Sequence, residues 1–221
     1  MERIGILGGT FNPPHVGHIA LARYARAELG LEQVLLMPAS LAPNKPALGD
    51  DPGPEHRLRM CRLAVADEPG LEASALELER GGTSYTVDTV QAIHDAHPDA
   101  ELTLILGADT ARTLPGWREP ARLLGMVKRL AVAERDELDL RQTSAELAPL
   151  RATLVSGSSS QPSLTALGMP PVAVSSSVVR RRIAAGESIV GLVEERVAGY
   201  IAEQGLYRTA GASLPASGGM A

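Results

Sequence analysis

A Rossmann-like α/β fold, with a parallel sheet and helices on both faces, is the class this sequence predicts. Short apolar runs alternate with helical patterns along most of the chain. Those runs are continuously apolar, as strands covered on both faces are. The first run is followed by the glycine-rich stretch "GGTFNPPHVGH", Gly8 to His18, which leads into a helical pattern.

Taken in order, "RIGIL" predicts a strand at residues 3–7. Gly8 and Gly9 then allow a tight turn and close approach of backbone to a ligand. A helix is predicted over 15–29, with Pro13 and Pro14 suited to its first turn, where a missing N–H costs little. "QVLLMP" is the second strand, at 33–38, and residues 39–53, "ASLAPNKPALGDDPG", read as a mobile loop. A helix over 54–67 holds Cys61, read as a small core residue. Strands follow at 71–75, 102–106, 128–133, 153–155 and 172–174, with helices at 84–97, 119–124, 138–150, 176–185 and 193–204. Residues 156–171, "SGSSSQPSLTALGMPP", read as a second mobile loop. The small, polar tail at 209–221 reads as disordered. Residues 1–208 are then one domain. Its ligands are expected at the carboxyl ends of the strands, where "GGTFNPPHVGH" and "GADT" (from Gly107) both fall.

Composition narrows the function. The 221 residues are 44% hydrophobic but only 3% aromatic, so the core is built from Leu, Val, Ile and Ala. No run approaches the ~18 apolar residues of a membrane span. The single cysteine excludes an intrachain disulfide and suits a cytoplasmic protein. The net charge of −5 argues against a nucleic-acid-binding face, so positive charge for an anionic substrate must be concentrated locally. A homo-oligomer is compatible with the sequence.

His15 and His18 stand i and i+3 at a helix start, where free N–H groups and the positive end of the helix favour an anion. Gly17 between them costs the helix up to ~1 kcal/mol relative to Ala, which suggests that it makes room for something. A histidine pair could also begin a metal site, but zinc takes further protein ligands at a recognisable spacing. Simple packing or capping is the plainest alternative. The stretch is neither a Walker A loop nor a Gly-x-Gly-x-x-Gly turn.

"HVGH" (His15 to His18) resembles the (T/H)xGH signature of the nucleotidylyltransferase superfamily. "GGTFNPPHVGH" is similar to its form in bacterial nicotinate-nucleotide adenylyltransferases. Further matches come in order: "SYT" (Ser84, Tyr85, Thr86), "GADT", "LPGW" ending at Trp117, "VSSSVVR" (Val174 to Arg180) and "YIAEQGLYR" from Tyr200. The likeness spans residues 1–208. One departure is Asn44-Lys45, where the family has His followed by Lys or Arg.

The resemblance implies transfer of the adenylyl group of ATP to nicotinate mononucleotide, with Mg²⁺ carried by the triphosphate. It places Gly8, Gly9, Thr10, Phe11, Lys45, Gly107, Asp109, Ser176 and Ser177 around ATP and its phosphates, with His15, His18 and Arg180 as the catalytic set. Ser84, Tyr85, Thr86, Asp109, Trp117 and Arg118 would surround the mononucleotide. No protein metal ligand is implied. Ser177 reads as an N-cap or first-turn residue. Arg180, Arg181 and Arg182 are ~100° apart on a helix and cannot all face one site. Val179 and Ile183 make its core stripe. Other acceptors within the superfamily remain open, as does a nucleotide sensor that kept only the fold. A class I aminoacyl-tRNA synthetase would need a longer chain and a KMSKS-like loop.

Overall fold

The computed structural model describes residues 1–43, 50–133, 141–148 and 162–208. The strands are β1 (Arg3–Gly9), β2 (Gln33–Pro38), β3 (Leu71–Ala73), β4 (Glu101–Gly107), β5 (Arg129–Ala133) and β6 (Ser163–Leu167). They form one parallel sheet in the order β3-β2-β1-β4-β5-β6. The helices are α1 (Val16–Glu28), α2 (Pro54–Ala64), α3 (Leu76–Arg80), α4 (Thr86–Ala96), α5 (Ala108–Thr113) and α6 (Pro120–Met126), then α7 (141–148), α8 (Ser176–Ala184) and α9 (Glu195–Glu203).

Alternation along the strands divides the core in two. Ile4 and Ile6 of β1 and Leu102, Leu104 and Leu106 of β4 point to one face, where α4 and α6 add Val87, Val90, Ile93, Leu123 and Leu124. Leu7 and Ile105 point to the other, against Ile19 and Ala22 of α1, Met60 and Cys61 of α2, and Val197 and Ile201 of α9. Gly5 is closely packed in the centre: a Cβ there would lie 2.8 Å from Leu31 Cδ1 and 2.9 Å from Ile105 Cδ1, so those side-chain ends would have to shift.

Chain order reverses between β1 and β4, which is where such sheets open a crevice at their carboxyl ends. The turn after β1 and the junction of β4 with α5 at Gly107–Asp109 both lie there.

The structure corrects the sequence reading on the β6 side. Residues 163–167, expected in a loop, form the edge strand β6, while 172–174 is not a strand. "SLTAL" needs only one paired side at an edge, so its polar residues are tolerated. The expected strand at 153–155, the tail at 209–221 and the ends of the helix predicted over 138–150 lie outside the described residues. Helices α3 and α5, too short for a periodic signal, were not predicted.

Candidate active site

Gly9 ends β1 and the chain turns back on itself. Phe11 takes a positive φ of 51°, and its ring is almost fully buried. The missing side chain at Gly9 allows this, because a Cβ there would lie 3.1 Å from that ring. A Cβ on Gly8 would meet nothing within 4 Å. Pro13 and Pro14 precede α1 instead of occupying its first turn, and His15 is the N-cap.

The two histidines stack, with ring centroids 3.6 Å apart and 25° between planes. Phe11 meets the His18 ring edge-on at 4.9 Å. His18 Nδ1 accepts the His15 main-chain N–H at 3.2 Å, which leaves the neutral ring's proton on Nε2 as a donor. Burial lowers the His15 pKa to about 4, so that ring is uncharged at neutral pH. His15 Nδ1 and Asn12 Nδ2 are buried with no hydrogen-bond partner among the described residues. Gly17 does make room, but for the protein itself: a Cβ there would lie 3.1 Å from both His15 Nδ1 and Val174 Cγ1. The first N–H of α1, from Val16, is taken by Leu192 C=O at 3.0 Å, so the helix end offers an anion less than the sequence suggested.

Helix α8 brings its N-terminus to the same turn. Ser175 is its N-cap, accepting the Val178 N–H at 3.3 Å, so Ser177 is a first-turn residue and not the cap. Ser176 Oγ donates to Pro13 C=O at 2.9 Å. Arg180 donates to Asn12 C=O at 2.8 Å and to the Asp50 carboxylate at 2.7 Å. Tyr207, just beyond α9, donates its buried hydroxyl to Asn12 Oδ1 at 2.7 Å. The turn, α8 and the segment after α9 are thereby locked together. Lys45 lies outside the described residues.

Arg57 is a central residue that the sequence reading missed. It is 2% exposed and donates to Thr10 C=O (2.9 Å), Ala39 C=O (2.6 Å), Ser40 C=O (3.0 Å) and the Asp51 carboxylate (3.1 Å). Its signal was present: Arg57, Met60, Cys61 and Ala64 fall at i, i+3, i+4 and i+7, placing a charge in the apolar stripe of α2.

A second group gathers at the other side of the crevice. Tyr85 is the N-cap of α4, and Thr86 begins the helix, where the N–H groups have no intrahelical partner. The Arg118 guanidinium lies 4.6 Å over the Tyr85 ring and 3.6 Å from Asp88. Trp117 Nε1 donates to Thr113 Oγ1 at 2.9 Å, holding the indole partly buried beside α5. Ser84 Oγ accepts the Ser40 N–H at 2.8 Å, tying this group to the loop after β2. Asp109 sits in the first turn of α5, which Gly107 caps, and its carboxylate is 93% exposed with Arg112 3.4 Å away. It therefore does not cap the helix.

Among the described residues, no three or more His, Cys, Asp or Glu side chains are grouped to hold a metal ion. Among the same residues, no helix is long and apolar enough to cross a membrane.

Comparison with known proteins bears on the family and the fold. The cytidylyltransferase-like family is matched over residues 6–182. A relative from Gemmatimonas aurantiaca, named "Probable nicotinate-nucleotide adenylyltransferase", is 41% identical over 93% of this chain and 92% of its own. One from Bordetella petrii with the same name is 43% identical over 94% of this chain and 100% of its own. In fold, the chain is similar to the Plasmodium falciparum nicotinic acid mononucleotide adenylyltransferase complexed with NaAD, at TM-score 0.70 and 18% identity, covering 94% of this chain and 98% of that one. The chain belongs to the cytidylyltransferase-like family and, within it, to the nicotinate-nucleotide adenylyltransferases.

Proposed function

We propose that the protein transfers the adenylyl group of MgATP to nicotinate mononucleotide, releasing pyrophosphate and forming nicotinate adenine dinucleotide. The observation that carries the reading is the locked assembly at the end of β1. Two stacked histidines, the Thr10–Phe11 turn and Arg180 share one mouth of the crevice.

A phosphate oxygen of the mononucleotide forms a bond to the α-phosphorus of ATP as the bond from that phosphorus to the bridging oxygen breaks. The acceptor phosphate has its second pKa near ~6 and is largely dianionic at neutral pH, so no general base is required. The barrier is repulsion between anions and the charge that grows on departing pyrophosphate; positioned donors lower both. His18 Nε2–H is such a donor. His15, neutral at pH 7, still has one ring N–H to donate. Arg180, held beside the same turn through Asn12 C=O, adds a cation there, against the negative sign of the whole chain. Mg²⁺ comes with the substrate, held by the triphosphate and water, and offsets part of its charge.

At the other wall Trp117 offers a flat face to the pyridine ring, and the α4 N-terminus suits its carboxylate. The main-chain N–H groups of Thr86 and Arg118 meet no acceptor among the described residues and are the donors we assign to it. To Asp109 we assign the ribose hydroxyls, and to the Ser176 and Ser177 main chain the phosphate.

The test is pyrophosphate release from purified protein with ATP, Mg²⁺ and either mononucleotide. Charge-assisted bonds favour the carboxylate, and an amide would leave a donor unmatched. Discrimination of ~3 kcal/mol predicts kcat/KM about 100-fold higher for nicotinate mononucleotide than for its amide. Equal efficiency overturns the choice of acceptor while leaving adenylyl transfer standing; no pyrophosphate with either overturns the reading.

A further inference from the structure

The most completely buried cation of the described residues is Arg57, and nothing in the proposed chemistry touches it. A guanidinium taken out of water must be matched by acceptors, and this one is. Three of its acceptors are main-chain carbonyls, from Thr10 after β1 and from Ala39 and Ser40 after β2. Asp51 completes the fork on the side leading into α2.

We propose that Arg57 is a positioning residue for the transfer: by taking the Thr10 carbonyl, it aims the Phe11 N–H at the polyphosphate. The inference rests on the nucleotide reading above. In a trans peptide, the carbonyl of one residue and the N–H of the next point in opposite directions. The Ala39–Ser40 peptide shows this around the same guanidinium, its carbonyl on Arg57 at 2.6 Å and its N–H on Ser84 Oγ at 2.8 Å. The Thr10–Phe11 peptide is built the same way. Its carbonyl is on Arg57 at 2.9 Å, but the Phe11 N–H at its other end has no acceptor among the described residues.

Phe11 also needs holding. Its φ of 51° lies in the left-handed region that side chains disfavour. The buried ring, edge-on to His18, secures one side of this residue, and the Arg57 bond to the preceding carbonyl secures the other. A lysine at 57 would keep the charge but could not span four acceptors with one planar fork.

Phe11 is the only phenylalanine in the chain, so ¹⁵N-phenylalanine labelling yields a single amide resonance. The experiment titrates this protein with inorganic tripolyphosphate. In the wild type the resonance shifts saturably. In Arg57→Lys tripolyphosphate binds about tenfold more weakly and KM for ATP rises about tenfold, while KM for nicotinate mononucleotide stays within about twofold; this follows from losing one charge-assisted contact. A general loss of structure would raise both KM values together. Asp51→Asn, which only loosens the fork, covers the case in which Arg57→Lys fails to fold, and shows about a two- to threefold loss of tripolyphosphate affinity. A wild-type resonance that ignores tripolyphosphate overturns the proposal, and so do variants that bind it as the wild type does. Failure of the nucleotide reading is distinct. It shows as no pyrophosphate from ATP and mononucleotide, with a Phe11 resonance that still answers tripolyphosphate and so upholds the aim of that N–H.

Discussion

The rings of His15 and His18 lie 3.6 Å apart, yet they are held in opposite ways: His18 Nδ1 has a main-chain donor and His15 Nδ1 has no described partner. Burial lowers the His15 pKa from 6.5 to about 4. Between those values the unfolded chain binds the proton and the folded one does not. The stability due to a neutral His15 is therefore fully present above pH 6.5 and is lost as pH falls towards 4. Melting temperature should drop across that window, and His15→Gln should flatten part of the drop. Identical profiles for the two proteins would remove His15 as the cause.

His15→Ala and His18→Ala should each lower turnover by about 10²–10³, the usual cost of one donor aimed at developing charge. Thermal melts of both should stay close to the wild type above pH 7. A variant that keeps more than half its activity would remove that histidine from the catalytic set. The acid limb of the rate should follow the substrate phosphate near pH ~6.

Arg180 is not idle without nucleotide, since Asp50 holds it at 2.7 Å. A triphosphate must compete with that carboxylate. Asp50 is about half exposed, so the contact is worth at most ~1 kcal/mol. Asp50→Asn should lower KM for ATP by up to about fivefold, whereas Arg180→Ala should depress kcat/KM strongly. Steady-state kinetics at fixed ionic strength decide; an increased KM in Asp50→Asn would mean that Asp50 assists binding.

Asp109→Asn tests binding apart from folding. The side chain is 93% exposed, so melts should stay within ~0.5 kcal/mol of the wild type. Nucleotide affinity should fall, because an amide accepts ribose hydroxyls without charge assistance. Unchanged affinity by calorimetry would leave Asp109 as a surface residue.

Stacking on an aromatic face is worth ~1–3 kcal/mol by alanine substitution. Trp117→Ala should therefore raise KM for the mononucleotide about tenfold and leave KM for ATP nearly unchanged. Trp117→Phe keeps a flat face while freeing Thr113 Oγ1, and should recover most of the loss. If both variants behave alike, the Thr113 contact is what matters.

The sequence made the sheet legible because buried parallel strands such as "RIGIL" and "LTLIL" are apolar throughout. The turn after β1 was legible because its glycines, prolines and histidines are a rare combination. β6 was not, since an edge strand needs apolar residues on only part of its length and "SLTAL" resembles a loop. Arg57 stayed hidden among several arginines of α2, even though its helical phase set it apart. The roles of Ser84 and Ser176 were obscured for another reason. Their hydroxyls serve the Ser40 N–H and the Pro13 carbonyl, and main-chain partners leave no mark on residue identity.

The Tyr207 hydroxyl bond to Asn12 has a consequence for biosynthesis. A ribosome releases the Gly8–His18 turn early, but Asn12 receives its partner only after 195 further residues have been added. Until then the nascent chain carries the turn without the donor that fixes it. Products of premature termination before position 207 should therefore lack a settled Gly8–His18 turn even where the sheet has formed.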